Sequence, residues 1–216
     1  MSTHATPTAP AAALSPALPG THEELARAEM YGVLARLWLA PPDDALLAAF
    51  ASAVTEPADG GGLLAGPWQA LVGALRTTDA TAAADEYEAL FGGIGKPEVF
   101  LYGSYYLSGH LHERPLATLR ADLGRLGLTR DEARAETEDH IAYMLEVMRW
   151  LIAGDDAAHC NLEQQRLFFR AHVQPWVEAM CDAVAAHPRA DIWRALAGLT
   201  RAFVQVETQA FDLLET

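Results

Sequence analysis

Between residues 136 and 145 the sequence reads ETEDHIAYML, setting Glu136, Glu138, Asp139 and His140 directly before an almost unbroken apolar run. Carboxylates and an imidazole this close can carry general acid–base chemistry, hold a metal ion, cap a helix or line a binding surface. Helical spacing narrows the choice. With Thr137 as N-cap, Glu138 and Asp139 fall in the first turn, where negative charge favours the positive end of the helix dipole. His140 then heads the stripe His140, Met144, Val147, Leu151. Asp139 projects about 100° away round the axis, so the two cannot form a catalytic dyad. His140 is either a satisfied core histidine or the edge of a site. Glu136 and Asp139 form an acidic rim beside apolar surface, which suits a ligand with one cationic end and one apolar part.

Enzyme signatures elsewhere come close and fail. GIGKP ends in Gly95-Lys96 like a phosphate loop, but Leu90 stands where the first glycine belongs and Pro97 where Ser or Thr would hold magnesium. HERPL opens like a zinc-protease helix, yet Leu116 takes the second histidine position. No Glu-x-x-His occurs, Cys160 and Cys181 with His159 lack zinc spacing, and there is no G-x-S-x-G elbow. No catalytic residue, metal ligand or cofactor is therefore assigned. A metal-dependent helical-bundle enzyme using Glu136, Asp139, His140 and His172 is the alternative of a different class.

The elements that must position these residues read as helices. THEE at 21–24 is a capping box, followed by Met30, Val33, Leu34, Leu37 and Trp38 at helical spacing until Pro41-Pro42. Further helices are expected over about 43–55, from Pro67 with Trp68, Leu71, Val72 and Leu75, and through an alanine-rich stretch to Phe91. Residues 92–114 have no helical period and are rich in glycine and tyrosine, the kind of long irregular segment that often carries function. Its Phe100, Leu101, Tyr102, Tyr105, Tyr106 and Leu107 either close the core or build an adaptable peptide groove. Helices resume at Pro115, with Gly127 as a stop, then over about 137–153, 161–186 with a bend at Pro175, and 191–214 with Trp193, Leu196, Phe203, Ala210 and Leu214 inward. The class is all-α: one helical domain over 21–216 behind a disordered, Pro/Ala-rich tail over 1–20.

A net charge of -14 argues against nucleic acid and anionic membranes as partners and favours a cationic one. No run approaches the roughly 18 apolar residues of a membrane span. Two cysteines without a C-x-x-C pair suit a reducing compartment, and the cytoplasm is expected.

Five segments in order, LFGG (90–93), LYGSYYL (101–107), LATLRADLGRLGL (116–128), ETEDHIAYMLEVMRWL (136–151) and QRLFFRAHVQPW (165–176), resemble the TorD/DmsD-type chaperones. Thr137 replaces that family's proline before the Asp-His pair. The resemblance spans about residues 25–212 and implies an all-α cytoplasmic chaperone, not an enzyme. Such chaperones bind the twin-arginine leader of a molybdenum-cofactor oxidoreductase precursor, and some bind its mature part, delaying export until the cofactor is inserted. The carried-over leader-binding candidates are Asp139 and His140, with Tyr102, Gly103, Ser104 and Tyr106 from the loop; Glu136 of the acidic rim and Phe91 of LFGG join them as peptide-binding candidates. His172, Pro175 and Trp176 match a second motif whose role, binding or structural, stays open. The related NarJ branch implies an assembly factor for a non-exported molybdoenzyme instead. Related chaperones occur as monomers and as domain-exchanged homodimers. A leader of two arginines and an apolar stretch is complementary to the acidic rim and the aromatic loop, docking as a short helix or an extended strand.

Overall fold

The computed structural model describes residues 19–55, 62–92, 96–131 and 133–214, and the sequence is helical through most of them. In chain order the elements are α1 Pro19–Leu39, α2 Asp44–Ala51, α3 Ala65–Arg76, α4 Ala80–Phe91, α5 Gly103–Ser108, α6 Arg114–Arg125, α7 Ile141–Ala153, α8 Leu162–Phe168, a π-helical turn Phe169–Val173, α9 Val177–Ala186 and α10 Ile192–Leu213. Among the described residues the only β-type pairing is an isolated antiparallel bridge between Tyr102 and His140. The all-α class expected from the sequence is the class observed.

The main packing pair is α1 against α7, with α10 laid over α9 and α3. α1 buries Tyr31, Leu34, Leu37 and Trp38, and α7 buries Met144, Leu145, Met148 and Leu151. Each such side chain contributes roughly 1.5–3 kcal/mol of transfer free energy. Polar groups tie the layers where they would otherwise be orphaned. Glu207 of α10 is 2% exposed and accepts two bonds from the Arg27 guanidinium, at 2.9 and 2.7 Å, and one from the Tyr31 hydroxyl at 2.9 Å.

Local signals account for several ends. Asp43 and Asp79 cap α2 and α4 by accepting from the backbone N–H groups of Leu46 and Ala82. After α6, Gly127 takes φ +72°, and the N–H groups of Leu128 and Gly127 bond the carbonyls of Leu123 and Gly124, a Schellman closure.

Other ends differ from the sequence expectation. α1 begins at Pro19, so Thr21 lies inside the helix rather than capping it, and Pro19 and Gly20 belong to the helix rather than to a tail. The rest of the expected disordered tail lies outside the described residues. Pro67 sits at the third position of α3, still within the turn whose N–H groups have no helical partner. The segment read as irregular contains α5, ended by Gly109 at φ +79°. Rather than one bent helix over 161–186, α8 and α9 are joined by the π-helical turn and residues 174–176, which include Pro175. At the end of α10, Ala210 and Leu214 are exposed instead of inward, and Glu207 and Phe211 are buried in their place. α1 and α10 meet edge-on at Tyr31 and Phe203, 4.8 Å between ring centres, but leave a groove beyond them that the last turn of α10 borders.

Candidate functional site

Two segments far apart in sequence join at the bridge. The Gly103 N–H donates to the Asp139 carbonyl and the Ile141 N–H to the Leu101 carbonyl, both at 2.9 Å. This fixes where α5 and α7 begin. α7 starts at Ile141 with His140 as its N-cap, not at Thr137. The cap is unusual: His140 Nδ1 accepts from the Ala142 N–H at 3.2 Å. The expected stripe led by His140 is thus a cap followed by a helix. Asp139 precedes the helix and is only 3% exposed. Its Oδ2 accepts from the Ser104 N–H at 2.9 Å, and its Oδ1 from the Thr137 hydroxyl at 2.7 Å. Asp139 therefore caps α5 from 35 residues away and does not stand on an acidic rim.

The other two carboxylates have different surroundings. Glu138 receives a two-pronged bond from Arg120, both contacts 2.9 Å; against the upward pull of burial, that guanidinium holds the carboxyl below its usual range. Glu136 is half-buried and, among the described residues, accepts only from the Tyr102 hydroxyl, a neutral donor. Burial and then this bond raise the Tyr102 phenol well above its ordinary pKa. Of the three carboxylates, Glu136 alone has no cationic or backbone partner among the described residues.

Glu136 and Tyr102 line a cavity of about 330 Å³ together with Phe91, Pro97, Phe100 and His112. Phe91 also packs edge-on against Trp38, Tyr87 and Trp193. Beside the cavity, the Lys96 ammonium lies 5.5 Å from the centre of the Phe100 ring. Pro97, Leu111 and His112 were not among the binding candidates read from the sequence, where Pro97 and His112 figured only in motifs that failed. Only the irregularity of their segment could have flagged them, and His112 adopts φ +63°, a conformation uncommon outside glycine.

Behind the cavity the remaining candidates pack on one another. The Tyr102 ring meets His140 edge-on at 5.2 Å. Tyr106 stacks on Trp176 at 5.6 Å, and Trp176 Nε1 donates to the His172 carbonyl at 2.7 Å. Gly103 permits this approach: a Cβ there would come within 3.1 Å of the Trp176 ring. Gly103→Ala is accordingly expected to cost about 1–3 kcal/mol through overpacking, read as a lower melting temperature. An unchanged melt would show that the ring yields freely. His172 Nε2 pairs with Asp122 at 2.7 Å and faces a separate cavity of about 480 Å³. The structure thus brings Phe91, Tyr102 and Glu136 to one cavity. Asp139, His140, Gly103 and Ser104 form its scaffold, and Tyr106, Trp176 and His172 lie in a layer behind. Glu136, Asp139, His140 and His172 do not converge as a metal enzyme would need, and no group of three metal-capable side chains occurs among the described residues.

Burial pushes the His140 pKa down to about 4, outweighing the attraction of Glu136 and Asp139. A base depressed below its unfolded value of about 6.5 leaves the unfolded chain binding more protons between those two pH values. Stability therefore falls as pH drops from about 6.5 to about 4, by on the order of 3 kcal/mol from this group, and no further below. His140→Asn keeps a cap acceptor and is expected to flatten this part of the pH profile of Tm. A wild-type slope in that variant would assign the effect to other groups.

Among the described residues ten α-helices pack around one core, with a carboxylate in the wall of an aromatic cavity, which makes the class an all-α domain. The chain belongs to the nitrate reductase delta subunit family, whose pattern it matches over residues 61–182, and so to the TorD-type chaperones. It is 29% identical over 174 residues to the chaperone protein YcdY of Escherichia coli K12, covering 78% of this chain and 86% of that one. It is 28% identical over 120 residues to the chaperone protein TorD of Vibrio cholerae serotype O1, covering 52% and 54%. The fold matches the crystal structure of a protein assigned to redox enzyme maturation from Archaeoglobus fulgidus, with TM-score 0.51, 20% identity and coverage of 91% and 98%. No described helix is long and apolar enough to cross a membrane.

Proposed function

We propose that this protein is a cytoplasmic maturation chaperone for a molybdenum-cofactor oxidoreductase and that it holds the twin-arginine leader of the precursor without making or breaking a bond. The observation that carries this reading is Glu136. Among the described residues it is the one carboxylate of its cluster held by nothing but a neutral hydroxyl, and it sits in the wall of an aromatic cavity. A guanidinium entering there gains a charge-assisted bond in partly desolvated surroundings, while Phe91 and Phe100 offer apolar contact to the residues that follow. The net charge of -14 draws such a cationic segment inward. Chaperone relatives support the class of function, and family membership supports a molybdoenzyme client.

Titrating the protein with a synthetic peptide of two arginines followed by an apolar stretch tests this. Binding is expected, with a loss of about tenfold when both arginines become lysines, which keep the charge but lose the two-pronged geometry. Raising the salt concentration is expected to weaken it further. A peptide that binds equally well without either basic residue removes the leader from this site.

A further inference from the structure

A groove larger than the Glu136 cavity lies elsewhere and shares no residue with it. It runs between the first turns of α1 and the last turns of α10, with a volume of about 800 Å³. Partly exposed Met30, Leu64 and Val206 and exposed Ala210 provide apolar surface along it, over a floor of buried Phe203 and Phe211. Leu162 at the start of α8 and Leu214 at the end of α10 wall it while remaining 44% and 56% exposed. Leu63 and Leu213, next in sequence to the lining residues Leu64 and Leu214, are 72% and 75% exposed. Large apolar side chains gathered at one groove mark a surface that something else covers.

Charge selects the occupant. At the groove half-buried Arg27 and buried Glu207 satisfy each other, so neither needs a ligand. Glu23 and Glu24, by contrast, stand exposed on its rim, in no ion pair among the described residues. A second copy of this chain would set like charges on this rim against its own net charge of -14. We infer that this groove is a second docking surface, for an amphipathic helix of another protein that presents leucine-like side chains on one face and flanks them with arginine or lysine. Such a helix lays its apolar face along Met30, Val206, Leu162 and Leu214 and its basic flank along Glu23 and Glu24. The inference does not depend on the leader-binding reading, because the two surfaces are built from different residues.

The experiment uses the full chain and two labelled peptides followed by fluorescence anisotropy. One is a helical probe with leucines at i, i+4 and i+7 and flanking arginines; the other is the twin-arginine leader peptide. The helical probe is expected to bind wild type, to lose at least tenfold in Leu162→Glu and in Leu214→Glu, and to lose about fivefold when its arginines become glutamates. Both variants change exposed positions, and leader affinity is expected to stay within twofold of wild type in each. Failure of the leader alone to bind would sink the leader reading and leave this one standing. Displacement of the helical probe by excess leader, or equal binding by wild type and both variants, overturns the inference. Removal of residues 1–18 that tightens the probe tenfold would make this chain's own N-terminal segment the occupant. A dimer abolished by Leu214→Glu would make it a second copy. Either result overturns it as well.

Discussion

Asp139→Ala is expected to cost about 2–4 kcal/mol of stability, seen as a fall of roughly 5–12 °C in Tm by circular dichroism. The carboxylate is buried and accepts from both the Ser104 N–H and the Thr137 hydroxyl, so truncation strands a backbone donor at the start of α5 and a side-chain donor beside it. Bonds to a charged acceptor are the stronger kind, and a donor left without a partner in the interior bears the full desolvation penalty. Asp139→Asn should melt in between, because its amide oxygen still reaches Ser104 while the Thr137 hydroxyl can turn to accept. Weaker peptide binding in either variant would follow from the loosened scaffold. A variant that melts with wild type yet loses the peptide would return Asp139 to direct ligand contact.

For binding, the largest effect is expected at Glu136. Glu136→Gln preserves size and a hydrogen-bonding oxygen but removes the charge, so the affinity for a twin-arginine peptide should fall about 10- to 30-fold, which is roughly 1.4–2 kcal/mol. The melt should hardly move, since the group is only half-buried and its partner Tyr102 can still donate to the amide oxygen. The salt dependence of the remaining affinity should flatten at the same time. Tyr102→Phe acts in the opposite direction. Without the phenol sharing Glu136, the carboxylate is freer for a guanidinium, and affinity should rise about threefold. Equal affinities in wild type and Glu136→Gln would exclude this carboxylate as the arginine partner.

Where the determinants are local, the sequence revealed them. Leu116, Leu119, Leu123 and Leu126 repeat at helical spacing and are all buried, and Gly127 stops that helix with its left-handed backbone. The determinants that escaped are long-range. α5 has no periodicity of its own and exists because Asp139, 35 residues on, accepts from its second N–H. The start of α7 is displaced from Thr137 to His140 because the Leu101 carbonyl claims the Ile141 N–H. The candidate site was partly legible in the same way. Spacing located the cluster Glu136, Glu138, Asp139 and His140, but which carboxylate remains available depends on Arg120, Ser104 and Tyr102. Those partners lie 18, 35 and 34 residues away, and no local pattern carries that information. The exposure of Ala210 and Leu214 was likewise invisible, since helical periodicity gives a face but not whether a neighbour reaches far enough to cover it.

Lys96 is the only lysine in the chain; the other fourteen cationic side chains are arginines, which amine reagents leave untouched. With its ammonium over the Phe100 ring, it stands beside the Glu136 cavity. Apart from the chain terminus, acylation by an activated ester therefore reports on one spot of the molecule. Peptide mapping separates the two products, so the rate at which Lys96 is modified becomes a mutation-free gauge of whether that cavity is filled.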